Sequence, residues 1–133
     1  LTILTVLIFL FTACNKIIDD ALDDGLYEYT AFDSEGVHIV EGTFSIVFSD
    51  SISITGEWDF VAIGDPENIG PQIGEGQLIG TMEGNDFYAG LNPDMDDNNV
   101  NFVGVVDGDK ISGVWIYSGY AGVLNSGPFT AEK

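Results

Sequence analysis

From Gly25 onward the chain alternates large apolar residues with polar ones at a period of two, the signature of half-buried strands. Phe44, Ile46 and Phe48 alternate with Thr43, Ser45 and Val47, and Ile52, Ile54, Gly56, Trp58 and Phe60 alternate with Ser53, Thr55, Glu57 and Asp59. Ser49-Asp50-Ser51 between them reads as a three-residue hairpin loop, pairing 48 with 52, 46 with 54, 44 with 56 and 42 with 58. A second hairpin is predicted around Val106-Asp107-Gly108-Asp109, pairing 104 with 111, 102 with 113 and 100 with 115. In this register glycines face large side chains: Phe44 opposite Gly56, Trp58 opposite Gly42, Phe102 opposite Gly113 and Ile111 opposite Gly104. A large side chain can lie over the gap a glycine leaves, and glycines let a sheet bend sharply.

Weaker strand patterns fall near 26–32, 37–41 running into 43–48, 76–83, 86–92 and 127–132. Turns are predicted at Glu83-Gly84-Asn85-Asp86, at Asn92-Pro93-Asp94 and over Gly119–Gly127, with a long loop from Gly64 to Gly76. Short strands at near-regular spacing predict an all-β domain over 26–133, a small antiparallel meander barrel of about eight strands. A two-sheet sandwich is the alternative. One face of most strands is aromatic and the other carries Ser, Thr, Glu and Asp, which favours a water-soluble barrel over one turned to lipid. The late hairpin breaks this rule. Val103, Val105, Val114 and Ile116 lie on its outer face, so something should cover them: the preceding segment's Ile17, Ile18 and Leu22, a loop, or a partner.

The chain opens differently. Leu1–Ala13 is an uncharged apolar run ending at Cys14, the single cysteine. A secretory signal has an apolar core of roughly 7–15 residues followed by small residues. Residues 1–13 fit that description, with the charged start missing. Phe11-Thr12-Ala13-Cys14 resembles the lipobox of bacterial lipoproteins, with Phe11 standing where Leu is commonest. The resemblance implies cleavage before Cys14, a diacylglycerol on its sulfur, and a place in the bacterial cell envelope, on the periplasmic or surface face of the outer membrane. Residues 14–25, with Asp19, Asp20, Asp23 and Asp24, then read as an acidic tether. Cys14-Asn15-Lys16 followed by acids is also similar to the surface-export signals of some lipoproteins.

Charge narrows the partners. Three lysines and no arginine stand against 22 acidic residues, a net charge of −19 over 133 residues. Nucleic acid is excluded, because binding it requires neutralising phosphates with Lys and Arg. Direct docking on anionic lipid is disfavoured for the same reason, and self-repulsion favours a monomer.

Catalytic parts are scarce. His38 is the only histidine, no Gly-x-Ser-x-Gly occurs, and Cys14 is committed to lipid. Glu57 and Asp59 sit two apart on one strand, about 7 Å from each other. An outer face lacks the apolar surroundings that acid–base work requires, so they read as a solvated face rather than a glycosidase pair. Asp94, Asp96 and Asn98 place oxygens at alternate positions, as a calcium loop would. The run fails as an EF-hand, with Asn99 where Gly belongs and Val105 where Glu belongs, and it reads equally as a polar turn. No other cofactor has a case. Trp58, Phe60, Phe102, Trp115 and Tyr117 should point into the barrel, where they either fill it or line a small-ligand cavity. The Gly-x-Trp hairpins loosely resemble those of avidin-like and lipocalin-like barrels, which implies a small-molecule site. The functional expectation is a lipid-anchored, non-enzymatic barrel that binds a small molecule or a protein, or a purely structural one.

Overall fold

A computed structural model describes residues 22–133. The signal run, Cys14, Ile17 and Ile18 lie outside the described residues. Eight strands follow one another in a closed antiparallel meander. They are β1 (Gly25–Phe32), β2 (His38–Phe48), β3 (Ser53–Ala62), β4 (Gly74–Glu83), β5 (Asp86–Leu91), β6 (Asn99–Asp107), β7 (Lys110–Gly119) and β8 (Gly122–Glu132). The ladder between β1 and β8, with Tyr29 opposite Ala131, closes the barrel. Closure leaves no sheet edge open for strand pairing.

Both hairpins differ from the expected register by two residues. In β2–β3, Phe48 faces Ile54, Phe44 faces Trp58 and Gly42 faces Phe60. Asp50 is the cause: its carboxylate accepts from the backbone N–H of Ile52 at 2.8 Å and of Ser53 at 2.6 Å. Those bonds lengthen the loop beyond three residues. In β6–β7, Asp107 pairs with Lys110, Val106 with Ile111 and Gly104 with Gly113. Here Gly108 takes the first central position of the turn, at φ 60°, instead of the second. That is the place glycine prefers in a type II′ turn. Gly84 does the same in the turn between Glu83 and Asp86. The run Gly119–Gly127 is mostly strand: only Tyr120 and Ala121 separate β7 from β8, which pair out to Gly119 opposite Gly122.

A slip of two keeps every side chain on its own face, so the core is the one the alternation predicts. The glycine–aromatic device survives with other partners. Along one row of the first half, Phe44 lies opposite Trp58 and Trp58 opposite Gly76 on β4. Along one row of the second half, Phe102 lies opposite Trp115 and Trp115 opposite Gly127 on β8. Each indole lies over a glycine and reaches a backbone carbonyl: Trp58 Nε1 donates to Gln77 O at 3.2 Å, Trp115 Nε1 to Phe32 O at 2.8 Å. The Phe32 carbonyl follows a bulge at Ala31/Phe32, beyond the last β1–β8 pair, so the indole supplies the partner the ladder does not.

Tyr29 occupies the middle of the barrel. Its ring stacks on Phe60 at 4.2 Å between centroids and lies 5.3 Å from Phe102 and 5.8 Å from Phe129. Its hydroxyl donates to Gln72 Oε1 at 3.2 Å, and Gln72 Nε2 donates to the Ile69 carbonyl at 2.7 Å. Gln72 is fully buried. The 63–73 loop therefore lies across the far end of the barrel and plugs it. At the entry end, Leu22 joins the core, the Tyr27 hydroxyl donates to the Asp23 carbonyl at 2.8 Å, and Lys133 Nζ donates to the Asp24 carbonyl at 2.9 Å.

Candidate functional site

The aromatic residues expected to line a ligand cavity sit in the packed interior. Trp58, Phe60, Phe102 and Trp115 all belong to the core cluster, each buried. Their space is taken by neighbouring rings: Trp58 and Phe60 lie 5.1 Å apart, as do Phe102 and Phe129. Tyr117 differs. It is half-buried at the far end, where its ring lies against Gly70 of the plugging loop and its hydroxyl donates to Asn98 Oδ1.

In the 92–98 loop that bond engages one of the three oxygens expected at a calcium site. Asn98 stands at φ 55° and turns its carboxamide oxygen to Tyr117, while Asp94 and Asp96 are exposed. The Asn92 N–H donates to Gln77 O and its carbonyl accepts from Met95 N–H, so the segment is held as a turn. Among the described residues no group of three or more His, Cys, Asp or Glu converges closely enough to hold a metal ion. His38 is half-buried at the start of β2, with Nε2 3.6 Å from Glu41 Oε2.

Two patches of the outer surface differ. Over β1–β4 an open groove of about 650 Å³ is lined mainly by Leu26, Thr43, Ser45, Glu57, Asp59, Glu75 and Gln77. Asp59 lies directly opposite Glu75. Like charges facing each other across strands are unfavourable. Glu75 is legible only once β4 is known to start at Gly74, two residues before the predicted strand.

The β5–β7 region is apolar. Val103, Val105 and Val114 are all more than 40% exposed, Ile116 is half-buried, and Val103 pairs with Val114 across the ladder. Tyr88 on β5 lies opposite Val103 and widens the patch. Its signal in the sequence is the outward slot of the alternation between Phe87 and Ala89. The described chain does not cover this face: Leu22, one of the expected covers, is buried in the core at the entry end. A shallow groove of about 360 Å³ crosses the patch toward the entry end, lined by Tyr88, Val103, Val105 and Ser112, with Glu83 and Asp86 at its margin. Burying a valine side chain contributes roughly 1.5 kcal/mol, so three of them contribute on the order of 4 kcal/mol. Association costs at least about that much in lost freedom. The valines alone therefore hold nothing tightly, and a lasting contact needs an anchor in the groove, added charge attraction, or both. Compared with protein-family models, with curated proteins and with solved structures, the chain matches none.

Proposed function

We propose that this protein is a lipid-anchored, non-enzymatic docking module of the bacterial envelope, contacting a partner protein with the outside of its barrel. The observation that carries the reading is the pairing of a ring-filled interior around Tyr29 with an apolar face on β5–β7 that no described residue covers. A carrier of small molecules needs the interior space that Tyr29, Phe60, Phe102 and Phe129 occupy. The opposed carboxylates, Asp59 and Glu75, lie in a groove open to water rather than against the apolar wall that acid–base catalysis asks for. The lipobox-like Phe11-Thr12-Ala13-Cys14 supports the anchor, because a lone cysteine in an exported chain has no disulfide partner. Several acyl chains together make such anchoring stable. The mechanism is positional: the lipid fixes the barrel at the membrane and the exposed sheet face makes the contact.

Native mass spectrometry of the chain purified from its own envelope tests this. The expected species carries acyl mass on Cys14 and no small molecule at fixed stoichiometry. A stoichiometric retained ligand or calcium ion would overturn the docking reading. An unmodified Cys14 would overturn the anchor.

A further inference from the structure

We propose that the β5–β7 face receives a protein segment bearing one large apolar side chain flanked by lysine or arginine. The inference rests on the docking reading above and adds the chemistry of the partner. The groove beside Val105 and Tyr88 is wide enough for a leucine- or phenylalanine-sized side chain and is otherwise walled by Val103, Ser112 and the backbone of Gly104 and Gly113. Its margin is acidic. Glu83 and Asp86 lie directly opposite one another across the Gly84-Asn85 turn, both exposed. Asp107 and Asp109 stand in the next turn at the same end of the barrel. Among the described residues the lysines are Lys110 and Lys133. Lys110 lies between Asp107 and Glu132 in register, and Lys133 Nζ is held at Asp24 O on the β1 side. Among the described residues neither Glu83 nor Asp86 forms a salt bridge, and a cation brought by a partner would relieve the repulsion between these facing carboxylates.

The other occupants fit less well. A second copy would set one acidic margin against another on chains each of charge −19. The segment before Leu22 sets Ile17 and Ile18 beside Lys16 but follows them with Asp19 and Asp20, a net negative charge facing an acidic margin. An anionic membrane repels the margin. Strand addition is closed off because the barrel has no edge.

The test uses the full chain, isotopically labelled in detergent micelles, titrated with three short synthetic peptides. One carries phenylalanine between lysines, one phenylalanine between glutamates, and one serine between lysines. The first is expected to shift the amides of Tyr88, Val103, Val105 and Val114, with affinity at least about tenfold above either of the others. Glu83→Lys with Asp86→Lys should reverse the preference toward the glutamate-flanked peptide, and Val103→Thr with Val105→Thr should lower affinity about tenfold at unchanged melting temperature. Equal binding of both phenylalanine peptides at this face overturns the charge rule and leaves apolar docking standing. Binding of the serine peptide as tightly as the first, or shifts confined to Glu57, Asp59 and Glu75, overturns the proposal. So does dimerisation in light scattering that Val105→Glu abolishes, or flotation with anionic vesicles that the same change abolishes.

Discussion

The two halves of the barrel are built alike inside and differently outside. Phe44, Trp58 and Gly76 form a row on β2–β4, and Phe102, Trp115 and Gly127 form the corresponding row on β6–β8. A glycine stands two residues before each tryptophan, Gly56 and Gly113. Between glycine and tryptophan the outward residue is Glu57 in the first half and Val114 in the second. The adjoining outer residues follow suit: Ser45, Asp59 and Glu75 against Val103, Val105 and Tyr88. Interior requirements explain what the halves share. They do not explain why the patch around Glu57 is acidic and the patch around Val114 apolar, so that local difference is where a partner's requirements should be sought.

The sharpest way to break the likeness is to remove each indole. Trp115 is fully buried with a 2.8 Å hydrogen bond, while Trp58 keeps 4% exposure and a 3.2 Å bond. Trp115→Ala and Trp58→Ala should each cost about 3–5 kcal/mol, with Trp115 the more costly. Urea denaturation followed by circular dichroism measures both. Equal or reversed costs would mean that the deeper burial and shorter hydrogen bond of Trp115 do not set the energetic difference between the rows.

Next come the glycines. A Cβ on Gly56 would sit 1.8 Å from Ser45 O, and one on Gly113 would sit 2.0 Å from Val103 O. Backbone must move in either case. Gly56→Ala and Gly113→Ala should each destabilise by about 1–3 kcal/mol, seen as a lowered melting temperature in both halves. A neutral Gly113→Ala would show that the β6–β7 ladder has slack that β2–β3 lacks.

The same pair of hairpins shows what could be read without coordinates. Period two placed Phe44, Ile46, Trp58, Phe60, Phe102 and Trp115 inside correctly, and the spacing of the strands indicated a closed meander. The ladder partners were misplaced because register depends on loop hydrogen bonds. Nothing local distinguishes an Asp50 that merely sits in a turn from one that captures two N–H groups. Likewise Asp107-Gly108 satisfies one turn type as dipeptide and another by glycine alone. The plug was invisible for a different reason. Gln72 is polar, and its burial is tolerable only because the nearby Ile69 carbonyl takes its amide N–H and Tyr29, more than forty positions away, donates to its oxygen. The apolar outer face was legible because it violates alternation, yet Tyr88 was not, since tyrosine fits an exposed strand position without conflict.

The hairpin loops offer a smaller contrast, one held by a carboxylate and the other by a glycine. Gly108→Ala forces a side chain into φ 60° and should cost about 1 kcal/mol at any pH. Asp50 should behave otherwise. The backbone N–H of Ser53, then that of Ile52 and the Ser53 hydroxyl, hold its carboxyl below the ordinary range. A depressed folded value means that the stabilisation is complete above the unfolded value of about 3.9 and fades as pH falls through the folded one. Asp50→Ala should therefore be less stable than the parent near neutral pH, and the gap should close below about pH 4. Urea titrations at both ends of that window measure it. A gap that persists in acid would assign the loop's stability to something other than the carboxylate.

The smallest effect is the most informative about the outer faces. Glu57 and Val114 are both exposed, and each lies outward between a glycine and a tryptophan. Exchanging them, Glu57→Val with Val114→Glu, changes neither interior row nor net charge. Surface substitutions of this kind stay within about 0.5 kcal/mol, so the melting temperature should hold within a few degrees. The β5–β7 face would then carry a carboxylate at its centre, opposite Val103 and next to Pro128 of β8, and apolar docking there should fail while the fold persists. If the exchange instead destabilised the barrel by several kcal/mol, Val114 would be a structural residue with an undetected cover. The apolar outer face would then belong to the fold's own requirements rather than to a partner's.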